Sequence, residues 1–404
     1  HVHNASDYLV GGRGSGTALS IASFVGTGLG LVTLMYAAMD GFTRGFSFLF
    51  IPVLGMIAPM VLGATGFVIR RLRQMRLTTI PEYYQRRFNR RVRVTAGIIC
   101  ALAGILNMGL FPKMGATFIT FVTGMGSVGE DADVMVNVIT TLLILLALAY
   151  TVVGGMVAVI VTDYIQFVVL SLGLGLGLWM CFINPVLGWD NMVHTFAAAQ
   201  GEAAFNPVHP QSYGWIFVIW MMVQIFTAAM CWAPEATRAL TTRDEQTTKW
   251  MFFFGSPGFF ARMAIPALWG IAAFCFMQNH GQLSEYFSPR ALQQHGGRAA
   301  EAMPLLMGNL LPTGLLGLLV AGLMAALMST HDSYLLAWSG VIVRDVMSPI
   351  KAMLAGSAQS RGADDTWGGL SSEREIYWTR FCVIVLALLL ALFGMYFINR
   401  LPET

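Results

Sequence analysis

The chain contains few charged residues for its length. Asp, Glu, Lys and Arg make up 11% of the 404 residues, against about 25% in an ordinary soluble domain. Hydrophobic residues make up 56%, and they recur in runs of about 20, the length of helix that crosses ~30 Å of hydrocarbon. No stretch of about ten residues alternates apolar with polar side chains, as the strands of a membrane barrel do. The composition therefore predicts an all-α, polytopic membrane protein.

The sequence also lacks the groupings typical of a disulfide scaffold, a metal centre or an enzyme. Its five cysteines are scattered within or at the ends of apolar runs, with no paired spacing. No nucleophile and base pair stands out, so we expect no enzymatic activity and no organic cofactor. The net charge of +3 is concentrated in arginine-rich loops and gives no indication of nucleic-acid binding.

Nine apolar segments are long enough to cross a membrane. They run from about 17 to 39, 46 to 69, 94 to 124, 134 to 153, 156 to 182, 213 to 233, 257 to 277, 313 to 342 and 377 to 398. The connection 70–93 carries nine arginines, and basic loops stay in the cytoplasm, whereas 185–212 has no Lys or Arg. Alternation then predicts residue 1 on the cytoplasmic side and residue 404 outside.

The first apolar segment has glycines at its centre. It reads ALSIASFVGTGLGLVTLMYAAMDG from 18 to 41, with Gly26, Gly28 and Gly30 around Thr27. Each glycine disfavours the helix by ~1 kcal/mol, so we predict that the helix unwinds there and exposes carbonyl oxygens, which are ligands for cations. Alternatively, the glycines only permit close helix packing.

Polar residues interrupt two further segments. The segment 313–342 contains Ser329, Thr330, His331, Asp332 and Ser333 in a row. An acid at the centre of a span costs about 2.5–3.5 kcal/mol and is a functional-site hypothesis by default, and hydroxyl and carboxylate oxygens suit a hard cation. In the fifth segment Asp163 lies roughly 12 Å from the predicted cytoplasmic face. His331 falls on a different face of the helix from Ser329. It is either a polar residue whose hydrogen bonds are satisfied or a proton relay.

Four motifs together resemble the sodium:solute symporter family. They are ASFVGTG at 22–28, IPEYYQRRFNRRVR at 80–93, GGMVAVIVTDYIQ at 154–166 and AALMSTHDS at 325–333. The resemblance implies a leucine-transporter-type bundle of two five-helix repeats with inverted topology, each beginning with a broken helix. The first repeat would be 1–182. The second, 213–404, would hold four spans, so we expect further segments beyond both ends.

The resemblance also implies a set of ion ligands. The principal sodium site would use the carbonyls of Ala22, Val25 and Ala326 and the hydroxyls of Ser329 and Thr330. A second ion site or exit path would involve Asp163, Ser333 and Asp332, of which Asp332 departs from the commoner family pattern.

Contacts to a solute are harder to place. Candidates are Thr27, Leu29, Asn107, Trp220, Gln224 and Thr227, with interhelical packing as the alternative role. Glu235 and Arg238 are interpreted as a cytoplasmic gate or structural pair, and Arg262 as a side chain near the inner end of its span that reaches the interface.

These expectations combine into one function. We expect a sodium-coupled symporter that moves a small organic solute into the cell by alternating access, with sodium as the co-transported ion and the lipid bilayer as its surroundings. A sugar, an amino acid and a small carboxylate all remain open as the solute. The alternatives are a proton-coupled transporter that uses Asp163, Asp332 and His331 as a relay, and the solute-sensing membrane domain of a larger signalling protein.

Overall fold

The computed structural model describes residues 14–125, 130–151, 156–294, 298–354 and 372–392. Within these ranges the chain is almost entirely helical, and the β-structure there is one isolated bridge between Ser15 and Thr242. Six helical stretches in the same ranges are long and apolar enough to cross a membrane. The predicted all-α class is therefore confirmed.

The helices are numbered in chain order. They are α1 Thr17–Gly28, α2 Leu31–Arg44, α3 Phe50–Thr65, α4 Ile69–Gln74, α5 Ile80–Arg87, α6 Arg90–Gly109, α7 Phe111–Val122, α8 Glu130–Thr151, α9 Met156–Ile183, α10 Trp189–Gln200, α11 Gly214–Cys231, α12 Ala233–Thr241, α13 Glu245–Gln278, α14 Gly281–Tyr286, α15 Pro289–Gln294, α16 Ala299–Leu310, α17 Thr313–Val341, α18 Ser348–Leu354 and α19 Ser372–Leu392. Each of the nine predicted segments coincides with one or more of these helices, as far as the described residues extend.

The first predicted span is interrupted between α1 and α2. Gly30 has an extended backbone (φ −78°, ψ 142°), and the Leu29 amide donates to the carbonyls of Val25 and Gly26, both at 3.0 Å. The predicted break is therefore confirmed. It differs from the prediction in one respect, because the Val25 carbonyl already accepts a hydrogen bond. A carbonyl oxygen has a second lone pair, which is the part of this group that a cation could use.

A second interruption separates α11 from α12. Trp232 is extended (φ −63°, ψ 116°), and Pro234 lies in the first turn of α12. Proline has no N–H and clashes with the carbonyl four residues earlier, so Pro234 disfavours a continuous helix here and suits the first turn of a new one. The first helix of each predicted repeat is therefore broken. The division of the chain at 1–182 and 213–404 stays a prediction.

Helices α2 and α13 cross at very short range. A Cβ at Gly41 would collide with the carbonyl of Ala267, and a Cβ at Gly270 would collide with the carbonyl of Ala38. Small residues at such crossings allow two backbones to approach in the absence of a hydrophobic driving force. The two helices are thus held backbone against backbone.

This crossing gives a stability prediction. Gly270→Ala should lower the stability by about 1–3 kcal/mol, because the new methyl group must push two backbones apart. Gly175→Ala is the matched control, since nothing lies within 4 Å of a Cβ there, and removing a helical glycine stabilises by ~1 kcal/mol. The measurement is thermal unfolding in detergent. Equal midpoints for the two variants would contradict the close crossing.

Candidate functional site

A buried carboxylate joins four helices near the first helix break. The Asp163 side chain in α9 is fully buried and accepts hydrogen bonds from the hydroxyls of Ser23 (2.8 Å), Thr27 (3.4 Å) and Ser329. It also accepts one from Nη2 of Arg238 at 2.9 Å. The partners come from α1, α17 and α12. Every contact of this carboxylate therefore ties α9 to another helix.

Local sequence explains why these side chains converge. Ser23 and Thr27 lie one turn apart on one face of α1, and Ser329 and Ser333 lie one turn apart on α17. At Gly26 a Cβ would stand 3.1 Å from the Asp163 carbonyl oxygen. The glycine therefore lets α1 approach α9 closely enough for its hydroxyls to reach the carboxylate.

Arg238 completes the cluster. Only 1% of this residue is exposed. Its Nε donates to the Thr27 hydroxyl at 2.6 Å, and its Nη2 donates to the Ser333 hydroxyl at 2.7 Å as well as to Asp163. Desolvating an ion pair is unfavourable unless further hydrogen bonds satisfy both partners. Among the described side chains, the guanidinium donates to oxygens of Thr27, Ser333 and Asp163, and three hydroxyls besides the guanidinium donate to the carboxylate.

The predicted pairing of Glu235 with Arg238 is wrong. Arg238 bonds to Asp163, whereas Glu235 lies 3.5 Å from Nη1 of Arg262. Although Glu235 and Arg238 are three residues apart on α12, each finds its partner on a different neighbouring helix, α13 or α9. Two ion pairs therefore connect α12 to its neighbours.

The predicted interfacial position of Arg262 is also wrong. Its side chain is 15% exposed and lies over the ring of Phe259, 3.9 Å from the centroid. A Cβ at Gly28 would collide with its guanidinium. The reason is that α13 begins at Glu245, before the predicted segment, so Arg262 lies about 26 Å along the helix.

The residues predicted to bind sodium are all buried. They are Ala22, Val25, Ala326, Ser329 and Thr330. The Thr330 hydroxyl donates to the Ala326 carbonyl at 2.8 Å, and a Cβ at Gly30 would stand 3.0 Å from the Thr330 hydroxyl oxygen. Helix α17 thus faces the break between α1 and α2. The side chain of Asp332 lies outside what the structure describes.

His331 lies apart from this cluster. Its Nδ1 is 2.8 Å from the Leu327 carbonyl, and its ring packs edge-on against Phe111 at 5.3 Å between centroids. The buried ring is therefore held within its own helix and against α7.

A small cavity opens at the helix break. Its lining comprises residues 30–33 at the start of α2 together with Thr27, Phe111, Leu327, Thr330 and Tyr334. Of the predicted solute contacts, Thr27 lines this cavity and Leu29 is buried within the break. The others, Asn107, Trp220, Gln224 and Thr227, are exposed and do not line it.

Tyr334 at the cavity and its hydrogen-bond partner Trp232 were missed from the sequence. Tyr334 lines the cavity and accepts a hydrogen bond from Nε1 of Trp232 at 3.2 Å. Tyr334 follows Thr330 by one helical turn, a spacing that could have placed it on the same face. Trp232 gives no such signal, because its position depends on the second helix break.

Comparison with known proteins finds sodium-coupled relatives. The human sodium/iodide cotransporter is 26% identical over 366 residues, which are 87% of this chain and 52% of that protein. The sodium/sialic acid symporter NanT of Aliivibrio fischeri is 26% identical over 86% of this chain and 65% of its own length. The chain thus spans about half to two thirds of these relatives.

A solved structure shares the fold. A substrate-bound, outward-open sodium-coupled sialic acid symporter superposes with a TM-score of 0.77 at 22% identity, over 98% of this chain and 78% of that one. The likeness confirms the leucine-transporter-type bundle in a multi-pass membrane protein. The model of the sodium:solute symporter family matches residues 8–361, and the chain therefore belongs to the sodium:solute symporter family.

Proposed function

We propose that this chain forms the transport core of a symporter that couples sodium entry to uptake of a small organic solute. The observation that carries the proposal is the buried set of oxygen atoms at the α1–α2 break, next to a small cavity. The proposal requires no organic cofactor, and its only partners are the solute and the surrounding bilayer.

Sodium would bind where α1 and α17 meet. The ligands would be the carbonyls of Ala22, Val25 and Ala326 with the hydroxyls of Ser329 and Thr330, an all-oxygen set suited to a hard cation. Hydrogen bonds already made by these groups do not exclude this role. The carbonyls of Ala22 and Val25 and the two hydroxyls keep a further lone pair. The Ala326 carbonyl accepts from the Thr330 hydroxyl in addition to its helical bond, and it gains a lone pair when that hydroxyl turns to the ion. A cation there would hold the end of α1 against α17.

Ion and solute would be coupled through shared residues. Thr330 belongs to the predicted ion site and also lines the cavity, and Gly30 of the cavity packs against Thr330. An ion that orders this junction would therefore also shape the cavity. By linkage, the factor that sodium adds to solute affinity equals the factor that the solute adds to sodium affinity. Each sodium that moves inward gains about 2.3 kcal/mol per 100 mV.

The cavity supports a solute that forms hydrogen bonds. Its lining includes four residues that carry hydroxyl groups, Thr27, Thr33, Thr330 and Tyr334. The first N–H groups of a helix such as α2 also have no partner within that helix. The relatives named above transport iodide and sialic acid with sodium. We propose a small polar solute for this chain, released by rocking of one helix bundle against the other. In this scheme Asp163, Ser333 and Asp332 lie on the second ion site or exit path.

The sodium site can be tested without knowing the solute. Sodium, compared with potassium, should raise the free energy of unfolding by about 2.7 kcal/mol at a hundredfold excess over its Kd. Ser329→Ala combined with Thr330→Ala should abolish this difference, because two of the five ligands are lost. Ser339→Ala is the matched control, being a fully buried serine further along α17 whose hydroxyl bonds to Leu336.

Two results would contradict the sodium site. A sodium response that persists in the double variant would exclude these ligands. Stabilisation that depends on pH and is the same in sodium and in potassium would favour proton coupling instead.

The cavity can be tested by a screen. Polar metabolites should stabilise the protein in sodium and much less in potassium, and Tyr334→Phe should weaken the response to the active solute without changing the response to sodium alone. Tyr164→Phe is the control, since Tyr164 is 47% exposed on α9. Equal solute responses of the two variants would place the solute elsewhere.

A further inference from the structure

The guanidinium of Arg238 lies where a cation bound to Asp163 would lie. Its partner oxygens belong to Asp163, Ser333 and Thr27, and the first two are residues of the predicted second ion site. We propose that Arg238 is a built-in counter-cation which sodium must displace before it can bind at Asp163. This inference rests on the proposed sodium symport.

The occupied oxygens are the first argument. Asp163 Oδ2 accepts from Arg238 and from Ser23, and the other oxygen, Oδ1, accepts from Ser329. The Ser333 hydroxyl accepts from the guanidinium at 2.7 Å. A sodium ion at Asp163 needs lone pairs of these same atoms. The arginine therefore has to withdraw before the carboxylate and the serine can become ion ligands.

Charge is the second argument. The guanidinium stays protonated at every physiological pH, and it is buried with its carboxylate partner, at 2% and 0% side-chain exposure. Two cations beside one carboxylate in a poorly solvated interior would repel each other strongly. Occupancy by Arg238 and occupancy by sodium are therefore alternatives.

The position of Arg238 links this exchange to movement. Arg238 lies on α12, and α12 is tied to the start of α1, because the Ser15 amide donates to the Thr241 carbonyl (3.2 Å) and the Arg243 amide donates to the Ser15 carbonyl (3.1 Å). The bonds from Arg238 to Asp163 and Ser333 run from this α1–α12 pair to α9 and α17. Displacing the guanidinium would break both of these bonds in one step, and the hydroxyls of Ser23 and Thr27 would remain as the contacts of α1 with Asp163.

Sodium titrations of the wild type and four variants test the exchange. The slope of the unfolding free energy against the logarithm of sodium concentration reports the number of ions held by the folded protein. Arg238→Gln should add about one ion to the wild-type slope, and Arg238→Gln with Asp163→Asn should return to the wild-type slope. Arg238→Lys should keep it, since the charge remains. Arg262→Gln is the control, a partly buried arginine paired with Glu235 instead.

Each outcome decides the inference. An unchanged slope in Arg238→Gln, or a gain that persists without Asp163, overturns it. If Arg238→Gln or Arg238→Lys fails to fold, the neutral double variant, Arg238→Gln with Asp163→Asn, still decides. A slope below that of the wild type in this double variant would show that sodium already binds at Asp163 beside the arginine. A wild type without any sodium slope but a slope in Arg238→Gln would refute the principal sodium site and support the inference. No slope in any protein refutes both.

A second measurement tests whether the bonds of Arg238 hold α1 in place. Ser20 lies one turn before Ser23 on α1 and is 2% exposed. With the five native cysteines replaced, Ser20→Cys should react with a maleimide at least several-fold faster when Arg238 is also changed to Gln, even in potassium. Equal rates with and without Arg238 would show that the arginine does not hold α1 in place.

Discussion

The arrangement of the helices around the site depends on the neutralisation of one buried carboxylate. Asp163 has no contact with solvent, and an unpaired charge in such a place is strongly destabilising. Its charge is met by Arg238 and its lone pairs by hydroxyls from α1 and α17. Four helices that differ widely in sequence position are therefore held together by one side chain. Removing either charge alone leaves the other without compensation.

The two helix breaks depend on burial of their irregular backbone. Non-helical backbone at membrane depth is tolerated only where protein or a water-filled cavity surrounds it. Leu29 is 3% exposed, and Gly30 lies against Thr330 at the edge of the cavity. Trp232 is held by its hydrogen bond to Tyr334. The cavity therefore depends on the irregular backbone at the break, and the irregular backbone in turn depends on its buried setting.

Much of the fold was predictable from apolar length and from glycine, because a hydrophobic run of about 20 residues has few alternatives to a helix. Ser329 and Ser333 share a face because they lie one turn apart, a placement that helical spacing alone gives. The partners of Arg238 and Arg262 were not predictable, since a pattern along one helix does not say which neighbour approaches each face. The second break was expected only from the family resemblance, and its position at Trp232 was not predicted. The exposed positions of Trp220 and Gln224 depend on packing between helices, which spacing alone does not determine.

The crossing of α2 with α13 has a mechanical consequence. Two helices whose backbones touch at Gly41 and Gly270 have no layer of side chains between them that could slide or shear. We therefore expect α2 and α13 to rotate together as one rigid body. Bending must then be concentrated at hinges such as the Leu29–Gly30 junction, where helical hydrogen bonding is already interrupted. The same glycines that permit dense packing thus decide which parts of the bundle stay stiff and which part flexes.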